Sequence, residues 1–451
     1  MNEREQTPRA GRGEPRDERV TVLDYPIIPI LGAAFAALLL ATLIAGGLAR
    51  AHFPLPAAEG RIGCIDGLRG YLALTVMVHH FIIWVQITKL GGSWSPPSFH
   101  LFNQLGAASV ALFFMITGLV FYPRILAGFR ACNWRVVYTS RVFRLLPSIV
   151  LSVLLITIVI MLRTGHGLDA SYVRPALRWI SAQGEPPLLG YEDSGRLNAY
   201  VLWSLRIEWI FYLAFLPVCA LASDLLRRLG LGTWLVPVGL LALSQLDIPA
   251  AEAAFDWHFC RAFAIGMLGY ECQSHPVLAQ RLRSPVAAIA ATLLLLLGMM
   301  AFATPYTAGL PFFGFFFVCV ACGNDFGGLL STRGALVLGE CSHSIYLLHG
   351  LALDILYVDL ARLVDRVSAS QVALLLPGVA TGVVLFTAAS FLLVERPAIR
   401  LGVLITRRWK SRPILVTPHC PADDQRPLPA STAVSRRPSG SGESSQSSLA
   451  R

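Results

Sequence analysis

Apolar residues in this chain do not alternate with polar ones. They run on, in stretches of membrane-crossing length that recur from Pro26 to Leu393, broken by short segments rich in arginine. A helix needs about 20 apolar residues to cross a hydrocarbon core of about 30 Å, and it satisfies its own backbone there. The pattern predicts spans over 67–87, 104–122, 145–162, 199–221, 233–247, 257–272, 286–303, 307–323, 336–357 and 371–394, preceded by a further run at 27–49. The expected fold is therefore all-α: a polytopic transmembrane helical bundle with a ten-helix core and an extra N-terminal span over 26–49. Residues 1–25 mix arginines with carboxylates and read as a disordered arm. Residues 413–451 are rich in Pro, Ser and Arg without an apolar period and read as a disordered cytoplasmic tail.

Composition agrees with the periodicity. Only 14% of the 451 residues are charged and 55% are apolar, about half the charge of a soluble enzyme. The net charge of +10 is almost all arginine, with Lys89 and Lys410 the two lysines. It is scattered over loops without interleaved aromatics, so no nucleic-acid partner is expected. Placing loop 123–144 in the cytoplasm puts 18 Lys/Arg in the loops of that side, against 7 in the opposite loops. By the positive-inside rule, 163–198 then faces outward. The arm 1–25, with five arginines, conflicts with this if 27–49 crosses; a hairpin or an interfacial helix is the alternative for that run. Cys319-Val-Ala-Cys322 has the spacing of a redox or metal pair, but no second ligand pair accompanies it. A reduced pair is expected, and no metal.

Several polar groups stand inside these runs. Arg69 and His80 are eleven residues apart, nearly on one helix face and about 16 Å apart along the axis; His79 lies about 100° off that face. Ionisable groups at membrane depth are costly and mark function. Arg141 and Arg144 share a helix face at a cytoplasmic mouth, where two guanidiniums suit a phosphate clamp and equally suit a topology signal. Glu208 sits deep in an apolar helix, either beside the site or in a structural ion pair with another helix, for example through Arg261. Tyr346 and His349 share a face, and His349 is either a pocket histidine or a packing group. Phe113-Phe114-Met115-Ile116-Thr117-Gly118, taken alone, reads as close helix packing. His349 and Asp354 fit a His-x4-Asp pattern, but five residues turn a helix by about 140°, so the two side chains diverge.

In order, these clusters resemble the membrane-bound acyltransferase-3 family. The resemblance rests on Asp66-Gly67-Leu68-Arg69-Gly70 through His80, the Phe113–Gly118 stretch with Thr117 in place of the usual serine, and Arg141-Val142-Phe143-Arg144. It continues through Trp203-Ser204-Leu205 with Glu208 and Phe211-Tyr212, then Ser344–His349, and closes on Glu395-Arg396-Pro397. It spans roughly residues 60–400. It implies transfer of an acyl group, often acetyl, from acyl-coenzyme A (acetyl-coenzyme A) as co-substrate to a hydroxyl of a carbohydrate or glycolipid acceptor, within a bacterial inner membrane. It implies His80 as general base with Arg69 essential, Arg141 and Arg144 as coenzyme A contacts, and Glu208 and His349 as further motif positions. Tyr346 and Ser204 are candidate oxyanion donors. The competing class is a transporter or flippase using Glu208, Arg206 and His80 as coupling sites; no inverted repeat or matched pair of broken helices supports it.

Overall fold

The computed structural model describes residues 20–55, 62–245 and 256–409. Most of the expected arm, residues 1–19, and the expected tail, 413–451, lie outside the described residues. Each predicted apolar run is helical. We number the helices α1 Ile27–Arg50, α2 Gly63–Lys89, α3 His100–Ala127, α4 Trp134–Thr164, α5 Val173–Ile180, α6 Leu202–Arg228, α7 Leu235–Leu243, α8 His258–Ser274, α9 Pro285–Ala301, α10 Leu310–Ala321, α11 Arg333–Asp359 and α12 Ala369–Arg407. Among the described residues the only β pairing is an isolated bridge between Leu188 and Tyr191.

Seven of these helices are long and apolar enough to cross a membrane, or eight if α9 is joined to the bent Pro276–Leu282 segment before it. The expectation of ten core spans is thus met by fewer full-length helices. The runs at 233–247, 257–272, 286–303 and 307–323 become helices of only 9, 17, 17 and 12 residues. At 1.5 Å per residue, 12 residues reach about 18 Å, short of the hydrocarbon thickness. Proline at or near the start of α9 and α10 helps to set where these helices begin.

The N-terminal run is one continuous helix, α1, rather than a hairpin. It packs on α11 and α12, with Gly334 so close to the Thr42 carbonyl that a Cβ would stand 2.2 Å from it. The end of the expected disordered arm is ordered instead. Residues Val22–Asp24 form a 3-10 turn, and Tyr25 is buried against Phe102 with its hydroxyl donating to Gln86.

Glycines set the two closest helix contacts. On α2, Gly67 faces the Leu330 carbonyl and Gly70 faces Leu338, while Gly339 on α11 faces the Asp66 carbonyl at a would-be Cβ distance of 2.0 Å. On α3, Gly118 faces the Phe263 carbonyl, and Gly266 on α8 returns the contact to Met115. Small residues let backbones meet where lipid supplies no hydrophobic drive. These contacts bring α2 against α11 and α3 against α8, the pairs that frame the site.

Candidate active site

The α2–α11 contact carries an imidazole pair. His349 Nε2 lies 3.0 Å from His80 Nδ1, across 269 residues of sequence. The same His80 nitrogen is 3.0 Å from the Val76 carbonyl, and His349 Nδ1 is 3.0 Å from the Ile345 carbonyl. A carbonyl only accepts, so each Nδ1 must carry the proton. His80 Nδ1–H is then shared between Val76 and His349 Nε2, and His80 Nε2 keeps its lone pair. His349 is fully buried and acts as the acceptor that fixes the tautomer and angle of His80. Asp354, the distant partner of the His-x4-Asp pattern, turns away and bonds Arg163 at 2.5 Å. His79 is a packing histidine. It is 2.9 Å from the Phe102 carbonyl and lies flat where a Cβ on Gly106 would stand 2.5 Å from its ring.

A cavity of about 570 Å³ opens among the arginines. Arg69, Arg141 and Arg144 line it, as expected, and so does Arg124, a loop-end arginine that counts only toward the charge bias in the sequence. The guanidiniums of Arg124 and Arg141 both lie over the Phe121 ring, at 5.4 and 5.2 Å. Arg141 Nε is buried without a hydrogen-bond partner. An orphaned cationic donor beside three further guanidiniums fits a polyphosphate.

Glu208 also lines the cavity, but not as an ion pair. It accepts from the Tyr212 hydroxyl at 2.6 Å and from Thr117 at 3.2 Å. The suggested partner Arg261 is spent elsewhere, donating to the carbonyls of Tyr306 and Ser244 and to the Gln245 side chain. The Phe113–Gly118 stretch therefore serves two purposes: Gly118 packs helices, while Phe113, Phe114 and Thr117 face the cavity. A π-turn over Phe211–Phe215 follows Glu208 on α6; such turns re-aim side chains and are frequent at functional sites.

Ser204 and Tyr346, whose hydroxyls are 2.7 Å apart, also line the cavity. Phe113 meets the Tyr346 ring edge-on at 6.1 Å, and the Tyr346 ring is 6.2 Å from that of His349, one turn further along α11. His80 and His349 do not line the cavity; the tyrosine stands between. The structure thus links His80, His349, Tyr346 and Ser204 through successive contacts and gathers Arg69, Arg124, Arg141, Arg144 and Glu208 around the cavity. Ser344 donates to the buried Glu395, joining the two closing sequence clusters across α11 and α12.

Beyond the spans, Glu185 precedes α6. It accepts from Leu202 N at 3.1 Å and Asn198 Nδ2 at 2.9 Å, and burial pushes its carboxyl up to about 7. Sequence inspection passed over it, since a lone loop carboxylate carries no signal of burial.

Apolar helices holding paired imidazoles in the bundle and guanidiniums around one cavity make a candidate site within a membrane-type helical protein. The family model described as an acyltransferase domain (acyltransferase-3) matches residues 62–395, and the chain belongs to that family, which supports an acyltransferase activity. No curated protein and no solved structure matches it.

Proposed function

We propose that the protein is a coenzyme A-dependent O-acyltransferase that moves an acyl group, acetyl in the simplest case, to a hydroxyl of a carbohydrate or glycolipid acceptor in a bacterial inner membrane. The observation that carries this reading is the cavity running from four arginines to Tyr346, one helical turn from the His80–His349 pair. Arg141, Arg144, Arg124 and Arg69 hold the donor's phosphates. The aromatic wall of Phe113 and Phe114 takes the pantetheine arm, and displacement of the Tyr346 ring brings the thioester to His80.

His80 Nε2 then accepts the acceptor's hydroxyl proton as that oxygen bonds to the thioester carbonyl carbon. Collapse of the tetrahedral intermediate breaks the carbon–sulfur bond, and the proton on His80 passes to the leaving thiolate. The Tyr346 or Ser204 hydroxyl donates to the oxyanion. Among the described residues no Ser hydroxyl or Cys thiol of the site is bonded to a histidine, which supports direct transfer rather than an acyl-enzyme.

Membranes carrying the protein, supplied with labelled acetyl-coenzyme A, are expected to transfer label to acceptor material. Loss of the base predicts a fall of about 10²–10⁴-fold for His80→Ala. Equal transfer by wild type and His80→Ala would overturn the proposal, and substrate flux into vesicles without coenzyme A would instead favour a transporter.

A further inference from the structure

We propose that the face of the His80–His349 pair opposite the arginine cavity carries the acceptor subsite, a surface formed by Trp94, Tyr200, Arg196 and Asp193 that takes a pyranose ring. The inference rests on the acyl-transfer reading above and adds which residues hold the acceptor and from which side it comes.

Trp94, in the loop between α2 and α3, stacks on the His80 ring at 6.2 Å and 26°. Its other neighbour is Tyr200, edge-on at 5.4 Å. Trp94 is half-buried and Tyr200 is 37% exposed, so an open aromatic surface lies directly beside the imidazole. By the loop charge bias this is the side away from the cytoplasm.

The chain goes to unusual lengths to hold Tyr200 there. Ala199 and Tyr200 both adopt left-handed backbone, at φ 53° and 51°, without glycine. Such strain persists only where surroundings over-determine it, and it clusters at ligand sites. Here Tyr200 N donates to the Gly195 carbonyl at 2.9 Å, and Gly195 has no side chain where the Tyr200 ring lies. Asn198 is tied to Glu185 and lies against Gly350, the residue after His349. The strained turn is thus wedged against the histidine helix.

Asn198 is 1% exposed and serves to hold the turn, so the polar groups open to a ligand are those of Arg196 and Asp193. Arg196 extends over Trp84 at 5.9 Å and pairs with the half-exposed Asp193 at 3.0 Å. A pyranose presents an apolar C–H face to an aromatic ring, and several hydroxyls that each donate and accept. It would use the rings, the guanidinium and the carboxylate together. A lipid alcohol, with one hydroxyl, would leave most of these unused. Small-ligand sites have this make-up, an apolar wall with a few fixed polar groups.

The test uses full-length protein in lipid nanodiscs, labelled acetyl-coenzyme A, and two acceptor sets: methyl pyranosides of the gluco, galacto, manno and rhamno series, and glycerol with dodecanol. We expect label on at least one pyranoside. Tyr200→Ala and Trp94→Ala should raise its KM at least tenfold, Tyr200→Phe should stay near wild type, and the acetyl-coenzyme A dissociation constant should be unchanged in all three. That unchanged constant also shows that the variants fold. Label reaching only glycerol or dodecanol, or only endogenous membrane material, overturns the subsite while leaving acyl transfer intact. So does a pyranoside KM unmoved by Tyr200→Ala. Absence of any His80-dependent transfer removes the acyl-transfer reading and the subsite with it.

Discussion

At the scale of single residues, the informative feature is how each polar group is satisfied. His80 and His349 need no charge to hold each other; two carbonyls fix both protons, and one ring nitrogen is left basic. Glu185 is the opposite case, a carboxyl whose neutral form the fold favours. Its folded value of about 7 exceeds the ordinary 4.5, so its contribution is fully present below about pH 4.5 and is lost as pH rises through 7. Asn198 donates to it, and Tyr200 and Tyr346 lie within its electrostatic reach. Glu185→Gln keeps an acceptor for Leu202 N and removes the titration. Thermal melts should show wild type losing stability relative to Glu185→Gln between about pH 5 and 8; parallel curves would refute the assignment.

At the scale of elements, activity depends on how closely helices approach. A methyl at Gly339 would stand 2.0 Å from the Asp66 carbonyl, so α2 and α11 must part and the His80–His349 bond must lengthen. Overpacking of this kind costs about 1–3 kcal/mol. Gly339→Ala is expected to lower both melting temperature and transfer rate. Gly378→Ala and Gly382→Ala on α12, where nothing lies within 4 Å, should do neither. Measuring melts and label transfer on all three separates crowding from loss of glycine as such.

The same scale explains what the sequence discloses. Arg69, His80, Glu208 and His349 stand out because ionisable residues are rare in apolar runs, and the order of the clusters points to the family. The contact between His80 and His349 is not visible, since no local period links positions 269 residues apart. Arg124 looks like any loop arginine. Trp94 and Tyr200 lie outside the spans, where aromatics are unremarkable. The four short helices look like spans because hydropathy continues past the proline and glycine positions that delimit them. Val20–Tyr25 looked disordered because one tyrosine in a polar arm gives no hint of a buried partner.

For the whole molecule, the decisive fact is that Tyr346 and Phe113, in edge-on contact, line the arginine cavity while His80 and His349 do not. In the proposed reaction, a donor thioester there is kept from the histidines until the tyrosine moves. Phe113→Ala should thin that wall and raise hydrolysis of acetyl-coenzyme A in the absence of acceptor by several-fold, read as free thiol release. A release rate equal to wild type would show that the wall lies elsewhere.

That closed end has a physiological corollary. On the proposed reading, with Tyr346 between the cavity and the histidines, an activated ester made from cytosolic metabolism would reach a saccharide on the far leaflet while the bilayer stays sealed to ions. The cell would need neither to export the costly nucleotide carrier nor to tolerate a leak in its proton gradient.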